Sequence, residues 1–120
     1  MSEPSKPVGP YTPVVRAGDW VVVSGQIGIV DGKLVDGGFG GQLAQALVNL
    51  RSQLESAGAT MDDVVKTTVF LRHMSDYAAM NELYVEAFGD HRPARSAIGG
   101  AELPLGALVE VEAWAHVARD

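Results

Sequence analysis

Pro93-Ala94-Arg95-Ser96-Ala97-Ile98-Gly99-Gly100-Ala101-Glu102-Leu103-Pro104-Leu105-Gly106-Ala107-Leu108-Val109-Glu110-Val111-Glu112 is the stretch around which the chain is organised. Ala94 to Gly100 is a run of small residues that predicts an extended segment carrying a single arginine, Arg95. Leu103-Pro104 predicts a turn. From Leu108 to Val117 the pattern has period two, with Val109, Val111, Ala113, Ala115 and Val117 on one face. Glu110, Glu112, Trp114 and His116 share the other, spaced about 7 Å apart along the strand. An arginine on one strand and carboxylates on the next are the ingredients for holding a small anion and moving its protons.

Upstream, the β-branched and aromatic runs Val14 to Arg16 and Trp20 to Ser24, joined across Ala17-Gly18-Asp19, predict a hairpin. A third short strand is expected over Gln26 to Val30, turning at Asp31-Gly32 into Lys33 to Val35. The period then changes. Leu43, Leu47, Leu50 and Leu54 form one apolar helix face over Gly41 to Ala57, and Gly58 stops it. Val64 to Met74 returns to period two, with Val65, Thr67, Val69 and Leu71 opposite Lys66, Thr68, Phe70 and Arg72. A second helix, capped by Ser75 or Asp76, carries the stripe Tyr77, Met80, Tyr84 and Phe88 and ends at Gly89.

This order predicts one α+β domain over residues 1–120, two helices on one side of a mixed sheet, with residues 1–9 a mobile lead-in. A single helix layer leaves the sheet face with Phe70, Trp114, threonines and carboxylates uncovered, which predicts burial in an oligomer with pockets at subunit boundaries. The length is enough for a core without staples. No apolar run approaches the ~20 residues needed to span a bilayer, and the start lacks a signal-peptide apolar core, so the expected location is cytoplasmic.

With 15 acidic against 9 basic residues and a net charge of -6, nucleic acid is not an expected partner. The absence of cysteine excludes disulfides, thiolate nucleophiles and Cys-based zinc sites. His73, His91 and His116 show no paired ligand spacing, so no metal is expected. Gly37-Gly38-Phe39-Gly40-Gly41 precedes a helix but lacks the spacing of a dinucleotide fingerprint and the lysine of a P-loop, and reads as a flexible loop.

Each candidate side chain has two readings at this level. Arg95 is either a surface ion-pair partner, worth about 0–1 kcal/mol, or a bidentate grip on a carboxylate. Glu110 is either part of a wet sheet face or, if covered by a subunit, a carboxylate needing a partner or a raised pKa. Asn81 fits a solvated helix position or a pocket wall, Tyr11 a sheet-edge contact, and Ser24 a strand-end turn.

Taken together, Gly9-Pro10-Tyr11, Val23-Ser24-Gly25-Gln26-Ile27, Gln42 with Gln45 and Asn49, Val65-Lys66-Thr67-Thr68-Val69-Phe70, Asn81 with Tyr84, Pro93-Ala94-Arg95-Ser96, and Leu103-Pro104 before Val109-Glu110-Val111-Glu112 strongly resemble the reactive intermediate deaminase A (RidA, or YjgF) family. The resemblance runs from Val8 onward. It implies a chorismate-mutase-like fold, a homotrimer with sites in clefts between subunits, and no metal or organic cofactor. It further implies hydrolysis of 2-imino acids and their enamine tautomers (2-aminoacrylate, 2-iminopropanoate, 2-iminobutanoate) to 2-oxo acids and ammonia. In that setting Arg95 binds the substrate carboxylate and Glu110 positions or activates water. Tyr11, Ser24 and Asn81 line the pocket, and the backbone at Ala97, where many relatives have cysteine, holds the nitrogen end. The small residues at Ile98-Gly99-Gly100 and in the glycine-rich loop imply a wider pocket than in many relatives. A trimeric small-carboxylate binder or chaperone-like protein is the non-enzymatic alternative.

Overall fold

The computed structural model describes Pro4 and residues 6–118. Of the expected lead-in, Met1, Ser2, Glu3 and Ser5 lie outside the described residues. The elements are β1 (Val14–Ala17), β2 (Trp20–Gln26), β3 (Ile29–Val30), β4 (Lys33–Leu34), α1 (Gly38–Ser56), β5 (Val64–Leu71), α2 (Tyr77–Phe88), β6 (Ala94–Ile98) and β7 (Val109–His116).

A five-stranded sheet has the order β1-β2-β7-β5-β6, and β3 pairs with β4 as a separate hairpin. β1–β2, β2–β7 and β7–β5 are antiparallel, while β5–β6 is parallel. The parallel pair follows from connectivity, since α2 carries the chain from the end of β5 back to the start of β6. The mixed α+β architecture with two helices is therefore as the sequence predicts.

Strand parity decides what meets the helices. Val109, Val111, Ala113 and Ala115 of β7 are fully buried beneath Leu43, Leu50 and Leu54 of α1 in a core that also holds Val21, Val69, Leu71, Met80, Tyr84 and Phe88. Burying each of the larger apolar side chains contributes roughly 1.5–3 kcal/mol. The opposite face carries Trp114, 45% exposed, and Trp20, 40% exposed, stacked edge to face with centroids 6.1 Å apart.

Beyond shifts of a residue or two at element ends, the structure departs from expectation in local detail. The strand expected over Gln26 to Val30 is broken: β2 continues to Gln26, and Ile29 N–H donates to Ile27 O in a tight turn before β3. β5 ends at Leu71, after which Arg72 N–H makes one more bond to Leu108 O and a 3-10 turn follows at Met74–Asp76. A register shift between Val64 and Lys66 turns Val64 into the core and leaves Val65 45% exposed, reversing the expected place of Val65. Finally, Gly38 to Gly41 form the first turn of α1 rather than a loop, anchored by Phe39, which packs against the core. Glycine's poor helix propensity hides that turn in the sequence.

Candidate active site

Arg95 lies on β6 opposite Thr67, on the helix-covered side of the sheet. There α2 builds a seat for it from residues one turn apart. Arg95 Nη2 donates to Tyr77 Oη at 2.9 Å and Nη1 to Met80 Sδ at 3.5 Å. The guanidinium carbon sits 4.9 Å from the Tyr84 ring centroid and 5.4 Å from that of Tyr77. Tyr84 is itself fixed by a 2.7 Å hydrogen bond with Thr67 Oγ1 and by its ring contact with Phe88, and burial pushes its phenol pKa up. Among the described residues no carboxylate pairs with Arg95. The surface ion-pair reading is thus replaced by a cation stacked on two tyrosines, with guanidinium donors left over.

Asn81 lies on α2 between those tyrosines, and its Oδ1 is buried without a hydrogen-bond partner. Ala97, opposite Val69 on β6, packs against the core from the same side. Arg95, Asn81 and Ala97 therefore belong to the β6–α2 side of the fold.

Glu110 belongs elsewhere. It stands opposite Phe70 on the face away from the helices, and β5 separates its strand from that of Arg95. Within one protomer the two are not brought together. Glu110 instead lines a small cavity with Tyr11, Pro13, Gly25, Gln26 and Ile27, to which Lys6, Pro7 and Val8 also contribute. The enclosed space, about 20 Å³, is room for a water molecule and not for an organic substrate. Burial pushes the Glu110 carboxyl above its ordinary value, and the neighbouring charge of Glu112 adds to the rise. Ser24 borders this region through Pro13, whose carbonyl accepts both Ser24 Oγ at 3.0 Å and Ser24 N–H at 2.9 Å. That pair pins the segment carrying Tyr11 against β2, and Tyr11 Oη accepts the Val8 N–H.

The histidines are dispersed: His91 Nε2 bonds to Val64 O at 2.6 Å, and His116 stacks on Trp20. No cluster of metal-ligating side chains occurs among the described residues. The sequence pattern treats Tyr77 and Met80 only as core stripe, although their spacing of three already places them on one side of α2 beneath the next strand.

A mixed sheet with two helices, carrying an arginine seated on two tyrosines and a desolvated carboxylate on separate surfaces, defines the class as an α+β domain. A family model described as Endoribonuclease L-PSP matches residues 1–117. RutC family protein PH0854 of Pyrococcus horikoshii is 43% identical over 113 residues, covering 92% of this chain and 90% of that one. The Mus musculus 2-iminobutanoate/2-iminopropanoate deaminase is 43% identical over 110 residues, covering 90% and 82%. The crystal structure of E. coli TdcF with bound serine matches with a TM-score of 0.88 at 32% identity, covering 97% and 94%. This chain belongs to that family, the RidA or YjgF family. Relatives named as imine deaminases carry the family's enamine and imine deaminase role, while others bear only the RutC or endoribonuclease name.

Proposed function

We propose that the protein hydrolyses reactive 2-imino acids and their enamine tautomers to 2-oxo acids and ammonia. The observation that carries this reading is the guanidinium of Arg95, oriented by Tyr77, Met80 and Tyr84 yet paired with no carboxylate among the described residues. A guanidinium so held has its remaining N–H groups set for a substrate carboxylate, which fixes the adjacent C=N carbon. The similarity to deaminases named for 2-iminobutanoate and 2-iminopropanoate supports the same chemistry.

Glu110 supplies the proton transfers. Its raised pKa makes the ionised form a stronger base than an ordinary carboxylate. It takes a proton from water as the oxygen bonds to the imine carbon, giving a tetrahedral carbinolamine. It returns that proton to nitrogen, and as the C–N bond breaks the carbinolamine hydroxyl becomes the carbonyl and gives its proton to the departing amine, so the protonated imine and one water yield the 2-oxo acid and ammonium with no covalent enzyme intermediate. Imines hydrolyse spontaneously, so acceleration of about 100- to 10,000-fold, roughly 3–5 kcal/mol, is sufficient.

Because Arg95 and Glu110 occupy opposite faces, one copy must lend its β6–α2 surface and another its open face to complete a site. A homotrimer with clefts between subunits meets this need. Arg95, Asn81 and Ala97 then come from one subunit, and Glu110, Tyr11 and Ser24 from its neighbour. The unpartnered Asn81 Oδ1 is an acceptor for a substrate N–H.

The test is an assay in which a dehydratase generates the imine and 2-oxo acid formation is followed. The wild-type chain raises the rate and Arg95→Ala does not; a retained rate in Arg95→Ala overturns the assignment. A second reading, small-carboxylate binding without turnover, is favoured by the serine held in TdcF, and binding with no rate increase would select it. RNA cleavage, suggested by the endoribonuclease name, is opposed by the net charge of -6.

A further inference from the structure

Glu110 occupies space that only glycine on the neighbouring strand leaves open. A Cβ placed on Gly25 would meet Glu110 Oε2 at 2.3 Å, Cδ at 2.6 Å and Cγ at 2.9 Å, so any other residue there displaces the carboxylate. Gly25 lies where the β2–β7 register shifts, between Val23 and Gln26, and the local backbone is therefore not held by a regular ladder.

It is held by α1 instead. Asn49 Nδ2 donates to both Ile27 O and Ile29 O at 3.0 Å, and Asn49 Oδ1 accepts from Gln45 Nε2 at 2.9 Å. On the other strand, Gln42 Oε1 accepts the Leu108 N–H at 2.8 Å, just ahead of Glu110. Gly28 permits this clasp, since a Cβ there would meet Gln42 O at 2.3 Å. Gln42 and Asn49 are 8% and 6% exposed on a buried helix face that, apart from Gln53, is otherwise leucine and alanine. Buried amides cost free energy that apolar side chains would not, and their directional bonds are what they add.

We propose that Gly25, Gln42 and Asn49 are positioning residues for Glu110: the glycine leaves the carboxylate its place, and the two amides pin the backbone segments on either side of it. This rests on the assignment of proton handling to Glu110. Arg95 lies outside the clasp, so the inference separates turnover from substrate capture.

The test uses the full chain in the coupled assay, with thermal melting followed in parallel. Gly25→Ala is expected to lower kcat about a hundredfold with KM little changed, the scale of a misplaced catalytic group. In the Gly25→Ala background, Glu110→Asp withdraws the carboxylate from the new methyl and is expected to recover part of kcat. Gln42→Met, which keeps the side-chain length without the acceptor, is expected to lower kcat roughly tenfold. Neither change should lower the residual turnover of Glu110→Gln further. Normal kcat in both single variants, or losses of equal size with and without Glu110, overturns the positioning role. If Gly25→Ala fails to fold, Gln42→Met alone decides by the same criteria. Full turnover in Glu110→Gln overturns instead the role of Glu110 on which the inference rests.

Discussion

The surroundings of Arg95 and Glu110 are built on opposite electrostatic terms. Around Arg95 the protein supplies what a cation favours: two aromatic faces, a hydroxyl and a thioether. Around Glu110 it withholds what an anion favours, placing a second carboxylate along the same strand and removing water. One surface is preorganised to bind charge, while the other makes a charge uncomfortable enough to accept a proton. Strand parity turns the two side chains to opposite faces of the sheet, and β5 lies between their strands.

Glu110→Gln gives the largest effect that divides the two surfaces. Turnover is expected to fall about 100- to 10,000-fold while 2-oxo acid binding, read by calorimetry, is retained. Lost binding would mean that the carboxylate holds ligand as well as protons.

The pH dependence comes next. Since burial and then Glu112 raise the Glu110 pKa, the acid limb of kcat/KM, which reports the free enzyme, is expected at higher pH than for an ordinary carboxylate, and Glu112→Gln is expected to move it downward. A limb that stays in place on Glu112 substitution would remove charge repulsion as a contributor. Stability runs with the opposite sign. Between the unfolded and the raised folded pKa the native state binds more protons, so the contribution of Glu110 falls as pH rises through that window. Glu110→Gln should therefore melt higher than wild type at neutral pH and equally at pH below the ordinary carboxylate range.

The smallest change concerns the cation's seat. Tyr77→Phe removes one hydrogen bond to Arg95 but keeps the ring, and should weaken ligand binding by about 1 kcal/mol without shifting the pH profile. A shifted profile would show that the cation's seat and the carboxylate are electrostatically coupled.

Much of this was legible in the chain. The period-two face of β7 and the four-three-four leucines of α1 fix the layers because each pattern has one way to bury its apolar side. The candidate residues were also legible, but not their grouping. Nothing local to Arg95 or Glu110 reveals that strand β7 lies on the far side of β5 or that Thr67 turns Arg95 toward α2. The exposure of Val65 was hidden for a related reason, since one extra residue inverts a face and leaves no mark in composition. What Gln42 and Asn49 hold is not visible in the sequence either, since Leu108, Ile27 and Ile29 are brought to them only by the fold.

The strand order β1-β2-β7-β5-β6 also bears on biosynthesis. Of the five strands of this sheet, Val109–His116 is the last to leave the ribosome, yet it occupies the middle. Before it is made, a nascent chain holds two unconnected ladders, β1–β2 and β5–β6, each with an open inner edge able to pair with a stranger. Assembly of the sheet is thus delayed until Val109–His116 has emerged, and a chain interrupted short of Val109 is a substrate for chaperones and proteases rather than a smaller version of the same protein.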